Sequence, residues 1–301
     1  MTFSRKQIDE RKIIADHPIR RPYASRIKFQ LEQGGFEFPK SCTIFAANGA
    51  LIELNVVEGE GVDVARTVSM SVSGFSSAST AESQGLKLSA SILWAAISRR
   101  VPLRLNYHTP YPSIVFDRTQ QRGGGSSFSA TGYSYSRFSG FVDKMQEIFD
   151  SQTDVDINLL ISMELFTSAR LEATERTRFL GLVSSLEPMA TQEPYGDVVT
   201  NLIDQYLSML HETSVPEDVR NSLRGSIQRL KNESVGFSIK KLVRNSFPGD
   251  DKAITLVSHA YDVRSKILHN GQVDDDLEFI TNELEGLVRR LIAHRLDQKL
   301  I

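Results

Sequence analysis

The stretch Tyr261-Asp-Val-Arg264-Ser-Lys-Ile-Leu-His269-Asn-Gly271 decides how the chain is read. From Ala253 onward, Leu256, Val257, Ala260, Val263 and Ile267 recur at the spacing of one buried helix face. Arg264 lies beside that face. At ~100° per helical residue, an unbroken helix would leave His269 ~140° away from Arg264 around the axis. Asn270-Gly271 is a stop signal, because Asn and Gly enter the left-handed conformation at least cost. The sequence therefore reads as a helix that unwinds near Leu268, which frees His269 to swing back toward Arg264. A guanidinium fixed at a helix end beside an imidazole is suited to phosphate chemistry.

Around this stretch the second half of the chain is helical in pattern. Phe141, Met145, Ile148 and Phe149 mark a short amphipathic helix, and residues 157–170 and 178–188 read as the next two. Pro188 limits the second of these. A helix over 198–211 follows, with Val199, Leu202, Tyr206 and Leu210 expected to point inward. Pro216 suits the first position of another. Residues 237–247 form a shorter one, and a last helix starts behind Asp274-Asp-Asp276 with Leu277, Ile280, Leu284, Leu287, Leu291 and Ile292 as its stripe. Antiparallel helices with short connections predict a bundle.

Arg264-x4-His269, with the polar Ser265 directly after the arginine, resembles the R-x4-6-H motif of the HEPN superfamily, and the wording around it is closest to Apea-like HEPN domains. Upstream, Glu164-Leu-Phe-Thr-Ser-Ala-Arg170, Arg178-Phe-Leu-Gly-Leu-Val-Ser-Ser-Leu-Glu187 and Leu230-Lys-Asn-Glu-Ser234 are similar, in order, to earlier helices of that family. The resemblance spans about the C-terminal half. It implies a metal-independent endoribonuclease without cofactor, in which His269 relieves the RNA 2′-hydroxyl of its proton and Arg264 stabilises the phosphorane. It also implies a homodimer in which two motifs face one cleft. Ser265 would be a supporting polar group. Asn270 stands where a glycine often follows the histidine.

The first half reads differently. Residues 1–25 are polar and basic, a loose arm or an extended lead-in in this reading. Ile44-Phe45, Leu51-Ile-Glu-Leu-Asn-Val-Val57 and Val68-Ser-Met-Ser-Val72 alternate or cluster as strands do, with Asn48-Gly49 as a hairpin turn. Ser79-Thr-Ala-Glu82 matches a capping box that opens a helix to about residue 100, Trp94 serving as a packing residue. Leu103-Arg-Leu-Asn-Tyr107 adds a strand. Residues 122–137, rich in Gly, Ser, Arg and Tyr, read as a mobile loop. The fold class is thus α+β: a small, mostly antiparallel β/α domain over 1–138 of unassigned role, then an all-α HEPN-like bundle over 139–301.

The composition of the 301 residues, 40% hydrophobic and 24% charged, is that of an ordinary globular protein, and the net charge of -2 offers no global attraction to nucleic acid. Any RNA contact must be local. Arg229, Lys231, Lys240, Lys241 and Arg244 are the candidate patch, or else the wet side of amphipathic helices. Glu187 either orients Arg264 across the bundle or is a solvated acid at a helix end. Cys42 is the single cysteine, which excludes an internal disulfide and a cysteine-based zinc site and points to a reducing cytoplasm. No run reaches the roughly 20 apolar residues of a membrane helix. No Walker, Rossmann or Gly-x-Ser-x-Gly signature occurs, and the histidines show no metal-ligand spacing.

The function expected is an RNA endonuclease, a toxin-like or phage-defence effector with RNA as substrate. The alternative is a noncatalytic HEPN module that binds RNA, nucleotide or a partner protein. A third reading is one half of a two-component system, silent until a regulatory partner protein unmasks it.

Overall fold

Ser25, Ile27, Phe29 and Leu31 are buried, while Arg26, Lys28 and Gln30 between them are not. That alternation makes a strand with one buried face, and it is an interior strand of the sheet in the first half. The computed structural model describes residues 21–31, 39–58, 65–106, 113–120, 136–151, 154–271 and 276–298. Its architecture is α+β, an antiparallel six-stranded sheet followed by helices.

The strands are β1 Tyr23–Leu31, β2 Ser41–Phe45, β3 Leu51–Glu58, β4 Arg66–Phe75, β5 Leu103–Asn106 and β6 Ile114–Asp117. Their order is β2-β3-β4-β1-β5, and β6 pairs with the other half of the same edge of β1. Register puts Cys42, Leu54, Met70 and Ile27 in one cross-strand row and Val56, Val68, Phe29 and Leu105 in the next. The opposite face presents Glu53, Ser71, Arg26, Ser69 and Lys28. β2 and β3 turn through Asn48-Gly49 as expected, with Gly49 at φ 79° and the Ala46 N–H bonded to the Ala50 carbonyl at 3.0 Å. Of the expected arm or lead-in over 1–25, residues 23–25 belong to β1, which begins at Tyr23. Residues 1–20, and nearly all of the glycine-rich segment 122–137, lie outside the described residues.

Helix α1, Ala78–Arg99, covers the apolar face. Its cap is Ser77 rather than Ser79. Ser77 has the extended backbone a cap needs and its hydroxyl accepts the Thr80 N–H at 3.2 Å. Leu88 to Ile97, Trp94 included, is buried on every side, since α2 (Ser136–Phe149) packs on the back of α1. Phe141, Met145 and Phe149 fill that contact, and the Arg99 Nε donates to the Gly140 carbonyl at 3.1 Å. The boundary expected at 138/139 is corrected accordingly. The two compact units divide between Val155 and Asp156, because α2 spends its apolar face on α1.

The second unit holds α3 Ile157–Ala169, α4 Glu175–Leu186, α5 Asp197–Glu212, α6 Glu217–Arg229, α7 Val235–Ser246, α8 Asp251–Asn270 and α9 Leu277–Arg295. Pro188 sits inside a 3-10 turn, Glu187–Met189, that closes α4. α9 is the hub: it packs on α3, α4, α7 and α8 and buries Ile280, Leu284, Leu287, Val288, Leu291 and Ile292. α3 and α4 are locked by the Ser162 hydroxyl, which donates to the Ser185 carbonyl at 2.6 Å. α5 and α6 pack on each other, and the inward direction expected for Leu202 and Tyr206 is not found. Both are exposed, because α6 covers only the flank carrying Ile203. This hairpin leaves and rejoins the bundle through one neck. There the Tyr195 N–H bonds to the Lys231 carbonyl at 2.8 Å and the Glu233 N–H to the Glu193 carbonyl at 2.9 Å, on either side of a Pro194–Asn232 bridge. Among the described residues no helix is long and apolar enough to cross a membrane.

Candidate functional site

Helix α8 supplies both residues of the motif, so the way its ends are fixed sets the site. At the start, Asp250 accepts the Ala253 N–H at 3.1 Å and the Arg290 Nη2 at 2.8 Å. The bond from Arg290, then that from Ala253, holds the Asp250 carboxyl below its usual range. Arg290 also lies over the Phe247 ring, 4.4 Å from its centroid, which ties the start of α8 to α9. At the other end Gly271 is left-handed, φ 72°, and its N–H bonds to the Ile267 carbonyl at 3.0 Å.

This corrects the expected unwinding near Leu268. Gly271 alone takes the left-handed conformation, so Asn270 stays helical and His269 stays on the regular track. The imidazole is exposed on the last turn, ~7.5 Å along the axis and ~140° around it from Arg264 by helical geometry. One chain does not bring the two groups to one atom. Ser265 and Asn270 are exposed beside them.

Arg264 is better anchored than its neighbours. Its Nη2 lies 3.0 Å from the Glu187 Oε1 in the turn that closes α4. The pair is at ion-pair distance without hydrogen-bond alignment, since the Oε1 has no aligned donor. The guanidinium also stands 5.5 Å from the Tyr261 ring centroid, one turn earlier. Tyr261 rests on Gly236 of α7, where an added Cβ would lie 3.0 Å from its Cδ1. Three elements thus locate Arg264, and Glu187 faces it across the bundle.

Two residues of the expected basic patch, Lys231 and Lys241, are taken up in ion pairs. Lys231 pairs with Asp204 at 2.6 Å. Lys241 pairs with Glu193 and with Glu233, the latter at 3.1 Å. Arg229 donates to the Ser226 hydroxyl at 3.2 Å. Lys240 and Arg244 have no ion pair among the described residues. With Gly236 they stand four residues apart on one ridge of α7, the ridge that meets Tyr261.

Sequence reasoning passed over Glu164 as a titrating group. It interrupts the apolar run of α3, and its Oε1 is buried without a hydrogen-bond partner among the described residues. Burial pushes its carboxyl from 4.5 up to about 7. Between those two values the folded state keeps a proton that the unfolded chain has released, so stability falls as pH rises and levels off above about 7. Allowing for partial exposure, the loss is roughly 1–3 kcal/mol. Urea midpoints by far-UV circular dichroism should drop between pH 5 and pH 8 in the wild type and drop less in Glu164→Gln. Equal drops would show that Glu164 is not the group responsible.

In the first unit, the Ala47-Asn48 turn, the early turns of α1 and the end of α2 surround a cleft of about 600 Å³. Lys87 donates there to the Ser151 carbonyl. Burial pushes its ammonium down against the opposing pull of Asp150 and Asp154. Asp150 in turn accepts the Ala47 N–H at 2.8 Å. Among the described residues no three His, Cys, Asp or Glu side chains are grouped to hold a metal ion. Compared with protein-family models, with curated proteins and with solved structures, the chain matches none.

Proposed function

We propose that the second unit is an endoribonuclease of HEPN type that cuts RNA through the substrate's own 2′-hydroxyl. The observation that supports it best is the setting of Arg264: a partly exposed guanidinium fixed by Glu187 and Tyr261, with His269 in solvent on the same helix. In this reading His269 takes the proton from the 2′-oxygen, which attacks the adjacent phosphorus. The bond to the 5′-oxygen breaks, and that oxygen leaves with a proton returned to it. Arg264 binds two phosphate oxygens while the extra charge is present. The angular separation within one helix requires the histidine of one copy to act with the arginine of another, so the active species is a homodimer with RNA between the two motifs. A toxin-like or defence role fits such an enzyme.

One observation favours a second reading, a noncatalytic HEPN module that binds RNA, nucleotide or a partner protein. The unbroken run of α8 through Asn270 leaves the imidazole and guanidinium of one chain on different sides of the helix. The test is to incubate the full chain with mixed RNAs in chelator and to map the product ends. Cyclic 2′,3′-phosphates that disappear with Arg264→Ala and with His269→Ala are expected. No cleavage of any RNA, or cleavage by both variants at the wild-type rate, would leave only the binding module.

A further inference from the structure

Helix α1 takes one face of the sheet, and among the described residues no helix covers the other. On that open face the cations stand in file. Alternation along β1 turns Arg26 and Lys28 outward, and both are partly exposed. Arg104 of β5 is exposed and pairs in register with Gln30, the next outward position. At the other end the exposed Arg118 donates from its Nη1 to the Ser73 hydroxyl at 3.1 Å, and Ser73 is the partner of Ala24. Levels 24, 26, 28 and 30 of β1 therefore carry Arg118, Arg26, Lys28 and Arg104, one cation each at ~7 Å intervals. None of the four has an ion pair among the described residues. Glu53, two strands from Arg26 in the same cross-strand row, is the one carboxylate among the described outward side chains. Asp117, next to Arg118, is taken up by the Thr119 N–H at 2.8 Å and hydroxyl at 2.7 Å. Beside the file, the outward positions of β4 are Thr67, Ser69, Ser71 and Ser73. Arg26 also lies over the Phe116 ring, 4.6 Å from its centroid, which braces the guanidinium.

We infer that this face binds single-stranded RNA, with the phosphates along the cation file and the bases over the hydroxyls of β4. Cations on one line suit a linear polyanion, whose backbone a positively charged track follows. They also supply the local attraction that a chain of net charge -2 lacks as a whole. A single strand fits because its unpaired bases lie open to the sheet, where the Arg26–Phe116 pair offers a surface for stacking. RNA is favoured over DNA by the hydroxyls of β4, which donate and accept as the 2′-hydroxyl does. The inference goes beyond the ribonuclease reading, since this face contains neither Arg264 nor His269 and holding RNA requires no cleavage.

Fluorescence anisotropy of a labelled oligouridine of about 20 nucleotides tests it, with the full chain carrying His269→Ala so that the RNA stays whole. Dissociation constants between about 1 and 100 μM are expected at physiological salt, with log affinity falling against log salt at a slope of about -3. Lys28→Gln with Arg104→Gln should weaken binding at least about 10-fold and bring the slope to about -1.5, while the melting temperature stays unchanged. Arg26→Gln alone should weaken it by about 3-fold or more. The oligodeoxyuridine of the same length should bind less tightly, and vesicles of phosphatidylserine should not bind. Absence of RNA binding, or an affinity and slope that the double variant leaves unchanged, overturns the proposal. So does DNA held as tightly as RNA, or a chain that binds the vesicles in place of RNA. RNA that is held but never cut when His269 is present would count against the ribonuclease reading only.

Discussion

RNA cleavage is expected to slow by about 10²–10³-fold in Arg264→Ala, the loss typical when a donor to a developing oxyanion is removed. In His269→Ala it should slow by about 10²–10⁴-fold, the range for a general base. Neither change should unfold the protein. His269 is exposed, and surface substitutions usually stay within about 0.5 kcal/mol. Loss of Arg264 strands the partly exposed Glu187, at a cost of roughly 1 kcal/mol. Activity and stability therefore part company, and that separation is the diagnostic. Arg264→Lys keeps the charge without the planar fork and should recover only part of the rate. Single-turnover kinetics on one RNA, beside the same RNA with a 2′-deoxy residue at the cut, would measure all of this. If the deoxy substrate is cut as fast as the ribose one, the 2′-hydroxyl is not the nucleophile and the mechanism is wrong.

Glu285→Ala should destabilise the second unit by about 3–5 kcal/mol, the scale for removing one partner of a buried ionic cluster. Glu285 on α9 is 8% exposed. It accepts the Arg178 Nη2 at 2.5 Å and lies 3.7 Å from the Arg170 Nε, so α4 and the end of α3 are both tied to it. Arg178 also pairs with Glu175 at 3.1 Å. Without the α9 carboxylate, two guanidiniums would face each other in a mostly dry site. Glu285→Gln keeps the shape and an acceptor and should cost less. Far-UV circular dichroism follows the helices, while fluorescence of Trp94, the single tryptophan, follows the first unit. An unchanged helical midpoint in Glu285→Ala would show the cluster to be dispensable.

Periodicity located the helices of the second unit to within a few residues, because each has a continuous apolar stripe. It could not say how much of a stripe is covered. Leu202 and Tyr206 follow the same spacing as buried residues, yet only packing decides that α6 shields one flank of α5. At the motif, the sequence identified the stop and misplaced its start. Asn270 and Gly271 both tolerate left-handed backbone, but one residue suffices to end a helix, and the glycine takes that place. A shift of two or three residues in that boundary separates His269 from Arg264. The pairing of two lysines of the basic patch was hidden for another reason. Lys231 and Lys241 meet Asp204 and Glu193, which lie 27 and 48 residues away, and no local pattern reveals such pairs. β1 was legible in its alternation but was hidden by the basic composition of the lead-in before it.

The closed neck at Pro194 and Asn232 has an architectural corollary. A chain that departs and returns through hydrogen-bonded neighbours can lose what lies between without any change in the path on either side. Residues 196–230 are consequently an excisable appendage, replaceable by a tight turn. The remaining helices could then be studied, or redesigned, with their own connections intact.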